Sequence, residues 1–133
     1  MVVEEKLRRS FARRKDEVFV RSEFAALGSP AQLSRALHNL IQRGVIVKLG
    51  VGVYAKAKRS VLSGEAIPVK PISVLAPIAL RKLGVKVYPS QMISAYNAGE
   101  TTQIPAGNVI NIGKSRINRQ LSFGKQAIAY ERT

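Results

Sequence analysis

The sequence contains no cysteine and no tryptophan, one histidine, and only 8 acidic residues among 133. Without cysteine there can be no disulfide and no thiolate metal site. The acids are Glu4, Glu5, Asp16, Glu17, Glu23, Glu65, Glu100 and Glu131. Adjacent carboxylates at helix ends do not converge on a substrate, and no Asp/Glu/His group has metal-ligand spacing. Walker-type GxxxxGK[ST] and nucleophile-elbow GxSxG patterns are missing. Ile112-Gly113-Lys114-Ser115 ends like a P-loop but has no leading glycine. The sequence therefore predicts neither an enzyme, nor a cofactor, nor a metal. No apolar stretch reaches the ~18 residues a membrane span needs. Glu4 and Glu5 interrupt any signal-peptide apolar region. The expectation is a cytoplasmic protein with no membrane partner.

What is plentiful is positive charge. Lysine and arginine number 22, for a formal net charge of +14, while 46% hydrophobic residues give ample material for a core. Met1–Ala66 holds 13 basic and 6 acidic residues and Ile67–Thr133 holds 9 and 2, so each half carries +7. This is no neutral fold with a detachable basic tail. Such an excess costs stability through self-repulsion and attracts polyanions.

Ser22 to Ala57 reads as one continuous device. An earlier helix is expected over Glu4–Lys15, with Leu7 and Phe11 at i, i+4 as its apolar stripe. Val18–Val20 is then a short extended piece able to pair with a later hairpin. Ser22 is expected to cap a short helix carrying Phe24, Ala25 and Leu27, closed by Gly28 in a left-handed C′ conformation. Ser29-Pro30-Ala31-Gln32 starts the next helix: serine as N-cap, proline at N1, glutamine at N3 completing a capping box. Leu33, Leu37, Leu40 and Ile41, with Ala36 between them, make its core-facing stripe, and Gly44 ends it. Val45–Leu49 and Val53–Ala57, separated by Gly50-Val51-Gly52, predict a tight hairpin. The pattern is a helix–turn–helix followed by a two-stranded wing.

The rest is less emphatic. Lys58–Lys70 reads as a connector. A helix capped by Ser73 is expected to reach about Leu83, with Val74, Leu75, Ile78 and Leu83 inward, and a second over Ser90–Ala98. Strand-like runs follow at Val109–Ile112, Ile117–Phe123 and Ala127–Tyr130, read as a small antiparallel sheet. The predicted fold class is α+β. Residues 1–60 form a winged helix–turn–helix DNA-binding domain, and residues 61–133 a helix-plus-antiparallel-sheet region that can share one compact unit with it.

With the leucines inward, the outward side of the second helix presents Gln32, Ser34, Arg35, His38, Asn39, Gln42 and Arg43. Arginine matches guanine acceptors, asparagine and glutamine match adenine, and serine suits either. Any soluble helix has a polar outer side, but this one carries no acid and belongs to a helix–turn–helix. Gln32, Ser34, Arg35, His38 and Asn39 are the candidate base readers. The capping box competes for Gln32, and His38 lacks the companions a metal or base site requires. Candidate phosphate contacts, which position without specifying sequence, are Arg8, Arg9, Arg13, Arg14, Gln42, Arg43, Lys48, Lys56 and Lys58. The alternation of a strand puts Lys56 and Lys58 on one face of theirs; whether Lys48 shares that face is left open.

The run QLSRALHNLIQRGVIVKLGVGVYAKAK, Gln32 to Lys58, resembles the N-terminal winged helix of AbiEi-type antitoxins from bacterial type IV toxin–antitoxin systems. Gly44, Ile46, Lys48, Leu49, Gly52 and Tyr54 match that family's G-x-I-x-R-L-x-x-G-x-Y wing, with lysine for the usual arginine. Thr102-Gln103-Ile104-Pro105 and the strand–Gly124–strand ending also match. The resemblance implies a transcriptional regulator that represses its own operon and opposes a nucleotidyltransferase-like toxin, with Arg35, Asn39 and Lys48 on double-stranded DNA. A homodimer is compatible with this shape, since many such regulators read palindromes. Two other readings stand beside it: an RNA-binding or ribosome-associated protein, for which 6% aromatic residues give few stacking platforms, and a winged-helix protein-interaction module.

Overall fold

In the computed structural model, which describes residues 2–88, 109–117 and 119–132, the first helix, α1, spans Val3–Arg13 and buries Leu7 and Phe11. Strand β1 (Val18–Val20) leads into a 3₁₀ helix over Arg21–Leu27, then helix α2 (Pro30–Gln42) and the hairpin of β2 (Ile46–Gly50) and β3 (Val53–Arg59). β1 pairs antiparallel with β3, giving the order β1–β3–β2, so the expected third strand is present. A fourth strand, β4 (Ala66–Pro68), pairs antiparallel with the far end of β3 inside the stretch expected to be a connector. Its pairing carries the first unit to Pro71; the second unit is Ile72–Thr133.

The local signals for α2 hold atom by atom. The Ser29 hydroxyl accepts from the Gln32 amide at 3.2 Å, and the Ser29 amide donates to Gln32 Oε1 at 2.9 Å. At the other end Gly44 sits at φ +75°. The Val45 amide reaches back to the Leu40 carbonyl at 3.0 Å and the Gly44 amide to that of Ile41, a Schellman closure.

The expected cap of the preceding helix is different. Ser22 lies inside the 3₁₀ helix, and Glu23 caps in its place, its carboxylate accepting from the Val20 amide at 2.9 Å. A longer side chain one position on reaches the free amide while Ser22 faces solvent. Gly28 is extended at φ 179°, not left-handed. What it supplies is space, since a Cβ there would lie 2.8 Å from Val3 Cγ2.

Leu33, Ala36, Leu37 and Leu40 of α2 are buried with Leu7, Phe11, Phe19, Phe24, Ile46 and Tyr54 in one cluster. Its centre is aromatic: Phe11 lies 4.5 Å from Phe19 and edge-on to Phe24 at 5.1 Å, ring centre to ring centre. Residues paired across antiparallel strands share a face. Phe19 pairs with Tyr54 and Tyr54 with Lys48, while Lys56 pairs with Ile46. Lys48 and Lys56 therefore share the sheet face turned toward the helices.

In the second unit, α3 (Ile72–Lys82) buries Ile72, Leu75, Ala76, Ala79 and Leu80. Ser73 is within it and not its cap, because the helix already includes Ile72; Val74 is exposed, because the buried side follows the i, i+3, i+4, i+7, i+8 spacing that starts at Ile72. Gly84, at φ +85°, closes it. Strand β5 (Val109–Asn111) pairs in parallel with β8 (Ala129–Glu131), and β6 (Ser122–Phe123) with β7 (Gln126–Ala127) in a minimal antiparallel hairpin. This corrects the expected all-antiparallel sheet. Of the described residues in the run Ile117–Phe123, Ser122 and Phe123 are in a strand. The expected helix Ser90–Ala98 and the Thr102–Pro105 stretch lie outside the described residues.

Candidate nucleic-acid interface

Helix α2 separates its polar residues into committed and uncommitted ones. Gln32 is held in the capping box. Ser34 Oγ accepts from Arg21 Nη1 at 2.9 Å, and Arg21 Nη2 donates to the Pro30 carbonyl at 2.6 Å. The side chains of Arg35, His38, Asn39 and Gln42 are exposed and make no hydrogen bond or ion pair among the described residues. Their spacing of i, i+3, i+4 and i+7 makes them one continuous stripe. No acid lies between Pro30 and Arg43.

One flank of α2 borders the start of α1. A shallow groove of about 550 Å³ is lined there by Val3, Lys6, Gln32, Arg35 and Asn39 among others. Lys6 was not among the sequence candidates, although the fold places this exposed cation beside two of them. Arg21 was missed as well. Its amide donates to the Gly52 carbonyl at the hairpin tip at 2.9 Å, while its guanidinium grips the first turns of α2. Thirteen residues separate Arg21 from Ser34, and nothing in local spacing announces that contact.

The nine candidate phosphate contacts divide in the same way. Arg9, Arg13, Gln42, Lys48 and Lys58 are exposed. Lys48 stands on β2 next to the hairpin tip. The others have internal partners. Arg8 pairs with Glu5 at 3.0 Å and Arg43 with Glu4 at 2.7 Å. Arg14 pairs with Glu23 at 3.0 Å and lies over the Phe24 ring, 4.9 Å from its centre. Lys56 Nζ donates to the Arg14 carbonyl at 2.6 Å. Arg14 and Lys56 thus close the end of α1 against the sheet, which corrects their reading as open phosphate contacts. Arg8 and Arg43 are in surface ion pairs, which are weak and exchange partners readily.

The hydrogen bond from Arg8 holds the Glu5 carboxyl below its usual range, with the charges of Arg8, Arg43 and Arg9 assisting. That is the electrostatic signature of a helix rich in cations. Among the described residues no three His, Asp or Glu side chains are placed to hold a metal ion, and no helix is long and apolar enough to cross a membrane.

These features define a class: an α+β protein with a strongly basic surface and an acid-free polar helix stripe. Within that class the chain belongs to DUF6088, a family of unknown function, whose model matches residues 3–133. Among curated proteins, none matches the chain.

Proposed function

We propose that the first unit is a winged helix–turn–helix that binds double-stranded DNA, and that the protein is a transcriptional regulator of the type IV antitoxin kind. The observation that carries this reading is the uncommitted stripe Arg35–His38–Asn39–Gln42 on an acid-free helix, held beside a hairpin that exposes Lys48. The succession α1, β1, 3₁₀ helix, α2, β2, β3 with sheet order β1–β3–β2 supports it, since a winged helix needs that sequence of elements. A helix ~10–12 Å across with its side chains fits the B-DNA major groove, about 12 Å wide. In this reading Arg35 and Asn39 approach base edges, His38 and Gln42 flank them, and Lys48 holds a phosphate from the wing. Ser34 works through Arg21, which fixes the wing tip against the start of the reading helix. The resemblance of Gln32–Lys58 to AbiEi-type antitoxins supports operon autorepression and a nucleotidyltransferase-like toxin as second partner.

Selection from a random duplex pool followed by titration tests the reading. Arg35→Ala is expected to cost ~1–3 kcal/mol on the selected sequence and little on unrelated DNA. Lys48→Ala is expected to weaken every duplex alike and lower the salt slope by about one unit. If all sequences bind at a non-specific ~10⁻⁴–10⁻⁶ M near physiological salt, base reading by α2 is excluded.

A further inference from the structure

The second unit has its own cationic surface, built on a fixed turn. Gly113, at φ +60°, donates its amide to Oδ1 of the buried Asn111 at 2.8 Å, and the Ser115 amide donates to the Ile112 carbonyl at 3.1 Å. Ile112 is itself bonded to β8 through the Glu131 carbonyl at 2.9 Å. Arg132, one residue beyond β8, donates from Nε to the Ser115 carbonyl at 3.0 Å and from Nη2 to that of Ile117 at 2.7 Å. Its guanidinium therefore lies over a turn whose outward side chains are Lys114 and Arg116. The Tyr130 hydroxyl donates to the Arg119 carbonyl, which ties the backbone after the turn to β8.

Lys114, Arg116 and Arg132 are exposed. The one acid among the described residues of this unit, Glu131, is engaged by Asn111 Nδ2 at 3.2 Å. Like charges carried on one turn repel one another, less so as salt screens them, unless an anion offsets them. Residues 113–132 expose no large apolar side chain among the described ones; the exposed aromatic beside the turn is Tyr88, whose ring a Cβ at Gly113 would meet at 2.9 Å. A protein interface would call for an apolar centre and a lipid surface for an inserted side chain. A row of cations on a hydrogen-bonded turn, with a single tyrosine and its polar hydroxyl at the edge, suits a sugar–phosphate backbone better.

We propose that the Gly113–Arg119 turn is a second DNA-binding surface, on which Lys114 and Arg116 contact backbone phosphates of a duplex while Arg132 holds the turn in shape. The identity of the polyanion rests on the function proposed above; the surface itself rests on the turn. It gives the second unit a role in affinity and none in base reading.

The test is the Lys114→Ala/Arg116→Ala double variant of the full chain, titrated with labelled duplexes over a range of salt. Each lost phosphate contact lowers the slope of log K against log salt by ~0.9. A fall of roughly two units, equal for the selected and an unrelated duplex, is the expected result. An unchanged slope in a variant with wild-type circular dichroism and melting temperature would overturn the second surface. If Arg35→Ala still loses the selected sequence in that assay, the recognition reading stands without it. Tighter binding of a single strand or an RNA duplex of equal length overturns the assignment to duplex DNA, and absence of any duplex binding by the wild type sinks both proposals.

Discussion

At the scale of single residues, what matters is which side chains the fold leaves free. Arg35 lies within a helix and Arg14 caps the end of one, yet among the described residues the first side chain is exposed without a partner while the second pairs with Glu23 and covers Phe24. Only the free one can offer its whole guanidinium to a ligand. The Arg8–Glu5 pair gives a direct electrostatic check. Because Arg8 lowers the folded carboxyl's pKa, the pair's stabilisation is present above the ordinary carboxylate pKa and is lost as pH falls through the lowered one. Arg8→Ala should therefore move the Glu5 titration midpoint upward in a carboxyl NMR titration. An unmoved midpoint would mean the pair does not persist in solution.

At the scale of elements, α2 is specified almost entirely by its own sequence. Ser29, Pro30 and Gln32 set its start and Gly44 its end: Ser29, Gln32 and Gly44 make the bonds their positions demand, and Pro30 at N1 needs none. Removing the cap with Ser29→Ala should cost about 0.5–2 kcal/mol, read as a lower urea midpoint at unchanged m-value. The preceding 3₁₀ helix was less legible. Capping logic pointed at Ser22, but a tight helix of this pitch brought Glu23 to the amide instead. Gly28 looked like a left-handed stop and proved to be a point of close approach to α1, a contact between residues far apart in sequence. The three residues of β4 carry no period of their own, so locally they read as connector, and pairing with β3 alone makes them a strand.

At the scale of the whole molecule, the governing quantity is a charge of +14 spread evenly over both halves. Self-repulsion of that size is screened by salt, with the Debye length falling from ~30 Å at 0.01 M to ~8 Å at 0.15 M. The melting temperature should accordingly rise as sodium chloride is added over that range and rise further with a duplex ligand. A melting temperature that falls with added salt would show that internal ion pairs outweigh the repulsion. Lys70–Glu17 at 2.7 Å and Arg43–Glu4 are such pairs, but few acids exist to make more.

The sequence alone determined the α+β class, the boundaries of α2, the hairpin, the phenylalanine and leucine core and the basic character of the surface. Helix caps, apolar periodicity and glycine turns act over a few residues, so they are written locally. Tertiary structure alone decided which cations stay free, that Lys48 and Lys56 share a face, that Arg21 ties the hairpin tip to Ser34, and that β5 meets β8 in parallel. Those outcomes depend on register and on partners tens of residues away. An arginine that will find an acid cannot be told, from its neighbours in the chain, from one that will wait for a phosphate.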